Sequence, residues 1–170
     1  MGNRSLPNKG LSIYTDGGCS GNPGPGGWAY VIVEIKSTAR GIAGEGKTGV
    51  PSIIAEKWGA AKNTTNNRME LCAAIAALEA LSELNVNSRQ ITVYTDSQYV
   101  HHGISIWIQA WKKNGWKTSE KKPVKNKELW ERLDKLTEDF SLTWQWVKGH
   151  AGNEFNERCD RMTQRAIASL

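Results

Sequence analysis

Four acids far apart in the sequence carry the chemistry open to this chain. Asp16 closes the run Leu11–Asp16, whose apolar Leu11, Ile13 and Tyr14 are interleaved with polar residues. It enters a stretch that holds six glycines between positions 17 and 27. Glycine costs backbone entropy, so this density implies a tight hairpin or the close approach of a ligand to bare backbone amides. Glu70 stands at the start of a helical pattern, Asp96 directly after the short strand pattern Gln90–Thr95, and Asp160 near the start of the last helical pattern. Four acids facing one point repel unless cations neutralise them. Oxygen-only ligands select hard divalent ions, Mg²⁺ first and Mn²⁺ second. Two such ions about 3.5–4 Å apart activate a water and stabilise a leaving oxygen in phosphodiester hydrolysis. His150 lies in Lys148-Gly-His-Ala-Gly152, a glycine-flanked turn just before the Asp160 helix, where it could shuttle a proton or assist product departure.

Each of these residues also has a purely structural explanation. Asp16 can be a turn residue at a strand end. Glu70 can complete a capping box with Asn67 as the N-cap. Asp96 can cap the helix that follows it. Asp160 shares a helix face with Asn156 and Gln164, which reads as a solvated stripe. His150 alone reads as an exposed turn residue. The joint placement of the acids at strand ends and helix starts weighs against all of these explanations holding at once.

The elements that must position them follow from periodicity. Strands are expected at Leu11–Asp16, Trp28–Lys36 and Ser52–Lys62, the last weakened by its alanines, with a Gly-, Thr- and Lys-rich loop over Ser37–Gly49. Leu71, Ile75 and Leu78 predict a helix over Asn66–Leu84. A helix is expected over Ser97–Trp111 and another over Lys127–Phe140, then a strand over Leu142–Val147. Phe155, Cys159, Met162 and Ala166 give a final amphipathic helix over Glu154–Ser169. Three strands in a meander followed by α/β units imply a mixed sheet, antiparallel at one edge and parallel in its centre, with the site at the strand C-termini.

Charge is concentrated. The net charge is +5, yet positions 112–127 hold seven lysines and one glutamate, which leaves 15 basic and 16 acidic residues elsewhere, or −1. A nearly neutral body with one basic segment points to a polyanionic partner met by a local patch. Length and apolar content fit one domain over 11–170 with a frayed segment over 1–10. No run approaches the roughly 18 apolar residues of a membrane helix, and no secretory-leader pattern opens the chain. Cys19, Cys72 and Cys159 are odd in number and widely spaced, which reads as reduced thiols in a cytoplasmic protein.

Taken together the motifs resemble those of type 1 ribonuclease H of the bacterial kind. Thr15-Asp-Gly-Gly-Cys-Ser-Gly-Asn-Pro-Gly-Pro-Gly-Gly27, Thr64-Thr-Asn-Asn-Arg-Met-Glu-Leu71, Tyr94-Thr-Asp-Ser-Gln-Tyr-Val100, Trp146-Val-Lys-Gly-His-Ala-Gly152 and Asn156-Glu-Arg-Cys-Asp160 match in order, across nearly the whole chain. The resemblance implies an α/β, ribonuclease H-like fold with a five-stranded mixed sheet covered by helices and a basic protrusion. It implies hydrolysis of the RNA strand of RNA/DNA hybrids by two metal ions, leaving 5′-phosphate and 3′-hydroxyl ends, in a monomeric protein. Metal-binding acids fall on Asp16, Glu70, Asp96 and Asp160, and the mobile histidine of the family on His150. Residues near the RNA strand fall on Cys19, Asn22, Asn66 and Gln98, with Asn67 beside them. A DNA-phosphate site falls near Thr65 and Asn126. The protrusion, with 112–127 as a basic handle, falls on Trp107, Trp111, Lys112, Lys113, Trp116 and Lys117. The segment Lys36–Ser52 is longer than the family's usual hairpin. Asn, Gln and bare glycine amides are suited to detecting 2′-hydroxyls in a minor groove.

Two rival readings remain at this point. One is another nuclease or polynucleotidyl transferase on the same fold, against which the Asn66, Asn67 and Gln98 set and the basic segment argue. The other is a non-catalytic nucleic-acid-binding module, against which the acids argue, since a pure binder gains nothing from carboxylates that repel phosphate.

Overall fold

The computed structural model describes residues 10–36, 49–86 and 90–170. The expectations for residues 1–9 and for the loop and longer hairpin over 37–48 lie outside the described residues. Five strands form one sheet: β1 (Leu11–Cys19), β2 (Gly24–Lys36), β3 (Val50–Thr64), β4 (Ile91–Thr95) and β5 (Leu142–Trp146), in the order β3-β2-β1-β4-β5. β1 to β3 pair antiparallel, and β4 and β5 extend β1 in parallel. The mixed sheet expected from the element order is therefore the one observed. Its β3 is longer than the 52–62 expected, and the alanines that weakened the pattern face an edge position where pairing with β2 alone holds the strand.

β2 has apolar residues on both faces because both are covered. Tyr30 and Ile32 point into the larger core, beneath helix α1 (Asn66–Glu83), helix α4 (Lys127–Thr137) and the connection between β4 and α4. Val31 and Val33 point the other way, against Cys159, Phe155 and Met162 of helix α5 (Glu154–Ala168). Along α1, Ala73, Ala74 and Ala77 are buried beside Leu71, Leu78 and Leu81. These small side chains let the helix axis approach the sheet closely.

Helix α2 (Gln98–His102) continues through one π-helical turn, Gly103–Trp107, into helix α3 (Ile108–Lys113). The single helix expected over Ser97–Trp111 is thus three-part. The extra residue of a π turn has no signature in apolar periodicity, and such turns are common near functional surfaces. The basic segment then folds back on itself. Trp116 N–H donates to the Trp111 carbonyl, Val124 N–H to that of Trp116, and Lys117 pairs across to Pro123. Among the described residues no helix is long and apolar enough to cross a membrane.

Candidate active site

The capping roles offered to two of the acids belong to other residues. Thr65 is the N-cap of α1, its hydroxyl accepting from the Arg68 N–H at 3.3 Å, so Asn67 and Glu70 form no capping box. Ser97 caps α2, its hydroxyl accepting from the Val100 N–H at 3.2 Å, so Asp96 is not the cap. Asp16 is likewise no turn residue: β1 runs on to Cys19, with Asp16 paired to Ala29 inside the ladder. Each acid is released from local duty and held in place by its neighbours.

Carboxylate oxygens of Asp16, Glu70 and Asp96 all lie within 4.8 Å of one another. Asp16 lies in β1, Asp96 directly follows the adjacent parallel strand β4, and Glu70 is delivered from the first turns of α1. Gly17 makes that delivery possible. α1 crosses β1 so closely that a Cβ on Gly17 would overlap the backbone of Met69 and Glu70. The same close approach lets the Gly17 N–H bond the Glu70 carboxylate. Gly149 plays a similar part for Asp96, since a Cβ there would lie 2.8 Å from Asp96 Oδ2. Trp146 Nε1 donates to the Asp96 carbonyl at 3.0 Å and ties the end of β5 to the site.

Burial dominates the electrostatics. It pushes Asp16 from the ordinary carboxylate range up to about 6, with a Thr163 hydrogen bond opposing and the charges of Asp96 and Asp160 adding. It holds Glu70 well above its usual value, with Asp16 and Asp96 adding to the effect. Asp96 is raised too, by burial first, against a hydrogen bond from Asn156. Glu70 Oε2 is buried with no hydrogen-bond partner. Three crowded acids with raised pKa values and an orphaned oxygen are unfavourable unless a cation joins them. The all-oxygen donor set fits a hard divalent ion.

Asp160 stands outside the 4.8 Å ring, but its charge bears on both Asp16 and Asp96. The solvated stripe read from Asn156 and Gln164 holds at its far end, where Gln164 is exposed, but not at Asn156, which is only 3 % exposed. The i, i+4 spacing could not say that the face is covered at Asn156. His150 is exposed on the loop before α5, in the left-handed region at φ 54°, and its charge favours the ionised forms of Asp16 and Asp96.

The rim carries the other expected residues. Asn22 accepts from the Asn66 N–H at 3.3 Å, joining the β1–β2 turn to the start of α1, while Gln98 opens α2. Asn67 is exposed beside Asn66, and the Cys19 thiol lies 3.9 Å from the Gly24 carbonyl. Thr65 and Asn126 are linked through Arg68, whose guanidinium donates to Asn126 Oδ1 at 3.0 Å and to Glu128 at 2.6 Å. The Tyr99 hydroxyl accepts from both Asn126 Nδ2 and Trp130 Nε1. Arg68, Tyr99, Asn156 and Thr163 were not singled out from sequence. All four lie inside or beside the five motifs, which is the one signal that could have found them. In the basic segment Trp107, Trp111 and Trp116 form a chain of rings at 5.8 and 6.2 Å, and Trp111 meets the fully buried Trp130 at 5.5 Å. All three are half-buried. Lys112 reaches back to Asp134 at 2.9 Å, whereas Lys113, Lys117 and Lys121 stand exposed.

The family model for RNase H matches residues 8–168. The chain belongs to the RNase H family. A protein named Ribonuclease H from Bradyrhizobium sp. (strain ORS 278) is 51% identical over 158 residues, covering 93% of this chain and 90% of that one. The Ribonuclease H of Treponema denticola is 48% identical over 170 residues, covering 94% and 98%. Among solved structures, LC9-RNase H1, described as a type 1 RNase H with the type 2 active-site motif, superposes with a TM-score of 0.77 at 28% identity, over 97% of this chain and 75% of that one. RNase H1 from Halobacterium salinarum NRC-1 gives 0.64 at 26% identity, over 95% and 99%. As a member of this family the chain is a nuclease of the hydrolase class.

Proposed function

We propose that the chain cleaves the RNA strand of RNA/DNA hybrids internally, with Asp16, Glu70, Asp96 and Asp160 holding two Mg²⁺ ions, for which Mn²⁺ could substitute. The observation that carries this reading is the ring of buried Asp16 and Glu70 with half-buried Asp96, with one Glu70 oxygen left without a partner. When bound, the ions supply Lewis-acid activation of water and neutralise charge on the scissile phosphate. Residues 11–170 act as a single catalytic domain, a cytoplasmic monomer with its three cysteines reduced. The carboxylates would hold the ions that bind the reacting phosphate, at the neighbouring β1 and β4 and the start of α1. Asn22, Asn66, Asn67, Gln98 and the Cys19 loop read ribose 2′-hydroxyls in the minor groove. Thr65 and Asn126, braced by Arg68 and Tyr99, seat a phosphate of the DNA strand. The products carry a 5′-phosphate and a 3′-hydroxyl. Incubating the protein with labelled RNA/DNA hybrid, double-stranded DNA and double-stranded RNA, with and without Mg²⁺, tests the reading. Cleavage confined to the hybrid and dependent on the ion supports it; equal cleavage of double-stranded DNA overturns it.

His150 acts as an accessory proton carrier or aid to product departure, since it is exposed on a glycine-flanked loop beside Asp96. His150→Ala is expected to slow turnover by about 10²-fold and to leave hybrid affinity in EDTA unchanged. Loss of cleavage as complete as that of an Asp16 variant would make it indispensable to the site instead.

The basic segment is the substrate handle. Its tryptophans pack its base onto Trp130, and its exposed lysines face outward. Lys112, held by Asp134, contributes less than the others. Replacing Lys113, Lys117, Lys121 and Lys122 by Ala should raise KM and flatten the slope of log affinity against log salt. The change in slope should be about 0.7–0.9 for each phosphate that the variant no longer neutralises. Cleavage at saturating hybrid should persist. A parental salt slope in this variant would remove the handle from the interface.

A further inference from the structure

A second basic surface lies on the opposite face of the sheet from the handle, and of its lining only Arg158 falls within the five motifs. β3 and α5 enclose an open cleft of about 420 Å³, lined by Glu56, Trp58, Arg158, Arg161, Met162 and Arg165. Arg158 is committed. Its Nε and Nη2 fork onto the two Glu56 carboxylate oxygens at 2.6 and 2.9 Å, which ties α5 to the edge strand and forms the floor. Arg161 and Arg165 are one turn apart on the same helix face and both exposed. No carboxylate among the described residues pairs with either. Trp58 stands 47% exposed on the outermost strand. An exposed indole beside two unpaired guanidinium groups needs a reason in a chain whose other described tryptophans largely stack or pack inward.

Register fixes where this cleft lies. Asp16 pairs with Ala29, and Ala29 with Trp58, so the three form one row across the sheet. At about 4.8 Å per strand, Trp58 is level with the catalytic row and roughly 10 Å to its side. Arg161 directly follows Asp160 in α5. A strand leaving the active site toward β3 therefore meets guanidinium groups and then an aromatic face. Guanidinium forks match phosphate oxygens, and a free indole offers a stacking platform to an unpaired base. An acidic peptide would satisfy the arginines but leaves the open ring face, at this register, without a role.

We propose that the β3–α5 cleft binds unpaired single-stranded nucleic acid that flanks the hybrid, holding its phosphates on Arg161 and Arg165 and one base on Trp58. This deepens the hydrolase reading and rests on it, so the test uses binding as well as cleavage. In an Asp16→Asn background, anisotropy of three labelled probes is measured: oligothymidylate, a blunt RNA/DNA hybrid, and the same hybrid with a single-stranded DNA overhang. Adding Trp58→Ala, Arg161→Ala and Arg165→Ala, all at exposed positions, should lower oligothymidylate affinity by at least about tenfold and erase the advantage of the overhang. Blunt-hybrid affinity should change less than about twofold. In cleavage-competent protein the triple variant should raise KM for the overhanged hybrid alone. An overhang advantage that survives the triple variant overturns the proposal. So does an acidic peptide, oligoglutamate bearing one Phe, that binds the cleft more tightly than oligothymidylate. Failure of blunt-hybrid cleavage in the parent would strike the hydrolase reading instead, and leave the oligothymidylate result standing.

Discussion

Asp16→Asn is expected to abolish hybrid cleavage, by on the order of 10³-fold or more, while making the metal-free protein more stable at neutral pH. Both effects come from one carboxylate. Asp16 is 7% exposed and its carboxyl is raised from 3.8 to about 6, chiefly by burial. A carboxyl whose folded pKa exceeds its unfolded value holds its proton more tightly when folded. Its contribution is fully favourable below about pH 4 and is lost as pH rises through about 6. A shift of two units corresponds to about 3 kcal/mol, and Asp96 and Glu70 are raised in the same direction. Denaturant unfolding in EDTA should therefore show the parent losing stability between about pH 4 and 6. Asp16→Asn should lose less and exceed the parent by up to about 3 kcal/mol at pH 7. Adding Mg²⁺ should stabilise the parent far more than the variant, because an ion that binds only the folded state shifts the equilibrium by mass action. A variant that cleaves at the parental rate, or that unfolds more easily than the parent in EDTA at pH 7, contradicts the site.

The strands and helices were legible because period 2 and period 3.6 dominate this chain. The Trp28–Lys36 run showed a strand and Phe155, Cys159 and Met162 an apolar helix stripe; that the strand is covered on both faces, and by α5 on one of them, follows only from the packing. Asp16, Glu70 and Asp96 were legible as candidates because they fall in separate motifs near the ends of strand and helix patterns, although Asp16 lies inside β1 and not at its end. Their freedom from capping was not: Thr65 and Asn67, or Asp96 and Ser97, are equally good caps by residue type, and only backbone geometry chooses between them. The π turn escaped because one inserted residue keeps the apolar positions near helical spacing on either side. The β3–α5 cleft escaped because Trp58 and Arg161 lie about a hundred residues apart, and only the strand register and helix packing bring them together.

Gly17→Ala should be the most damaging change of a single methyl group in the molecule's active half. Gly17 lies in β1 between Asp16 and Gly18, opposite Trp28 of β2. The Cβ of an alanine would sit 2.7 Å from the Met69 carbonyl oxygen and overlap the Met69 carbonyl carbon and the Glu70 amide nitrogen. These are backbone atoms of a helix facing a strand, so no rotamer change relieves the overlap. Either α1 lifts from β1 or β1 buckles. Overpacking of this kind costs about 1–3 kcal/mol. The catalytic cost is larger, because α1 carries Glu70, and a misplacement of about 1 Å in a catalytic group lowers rates by about 10²-fold. Lifting α1 also breaks the Gly17 N–H bond to Glu70 and spreads the ring of three acids. The neighbouring position supplies the control. A Cβ on Gly18 meets nothing closer than Thr163 Cγ2 at 3.8 Å, an ordinary van der Waals distance, and Gly18 lies in the same strand. Gly18→Ala should therefore keep near-parental melting temperature and turnover, while Gly17→Ala loses both. Equal behaviour of the two variants would mean that the packing of α1 on β1 does not set the position of Glu70.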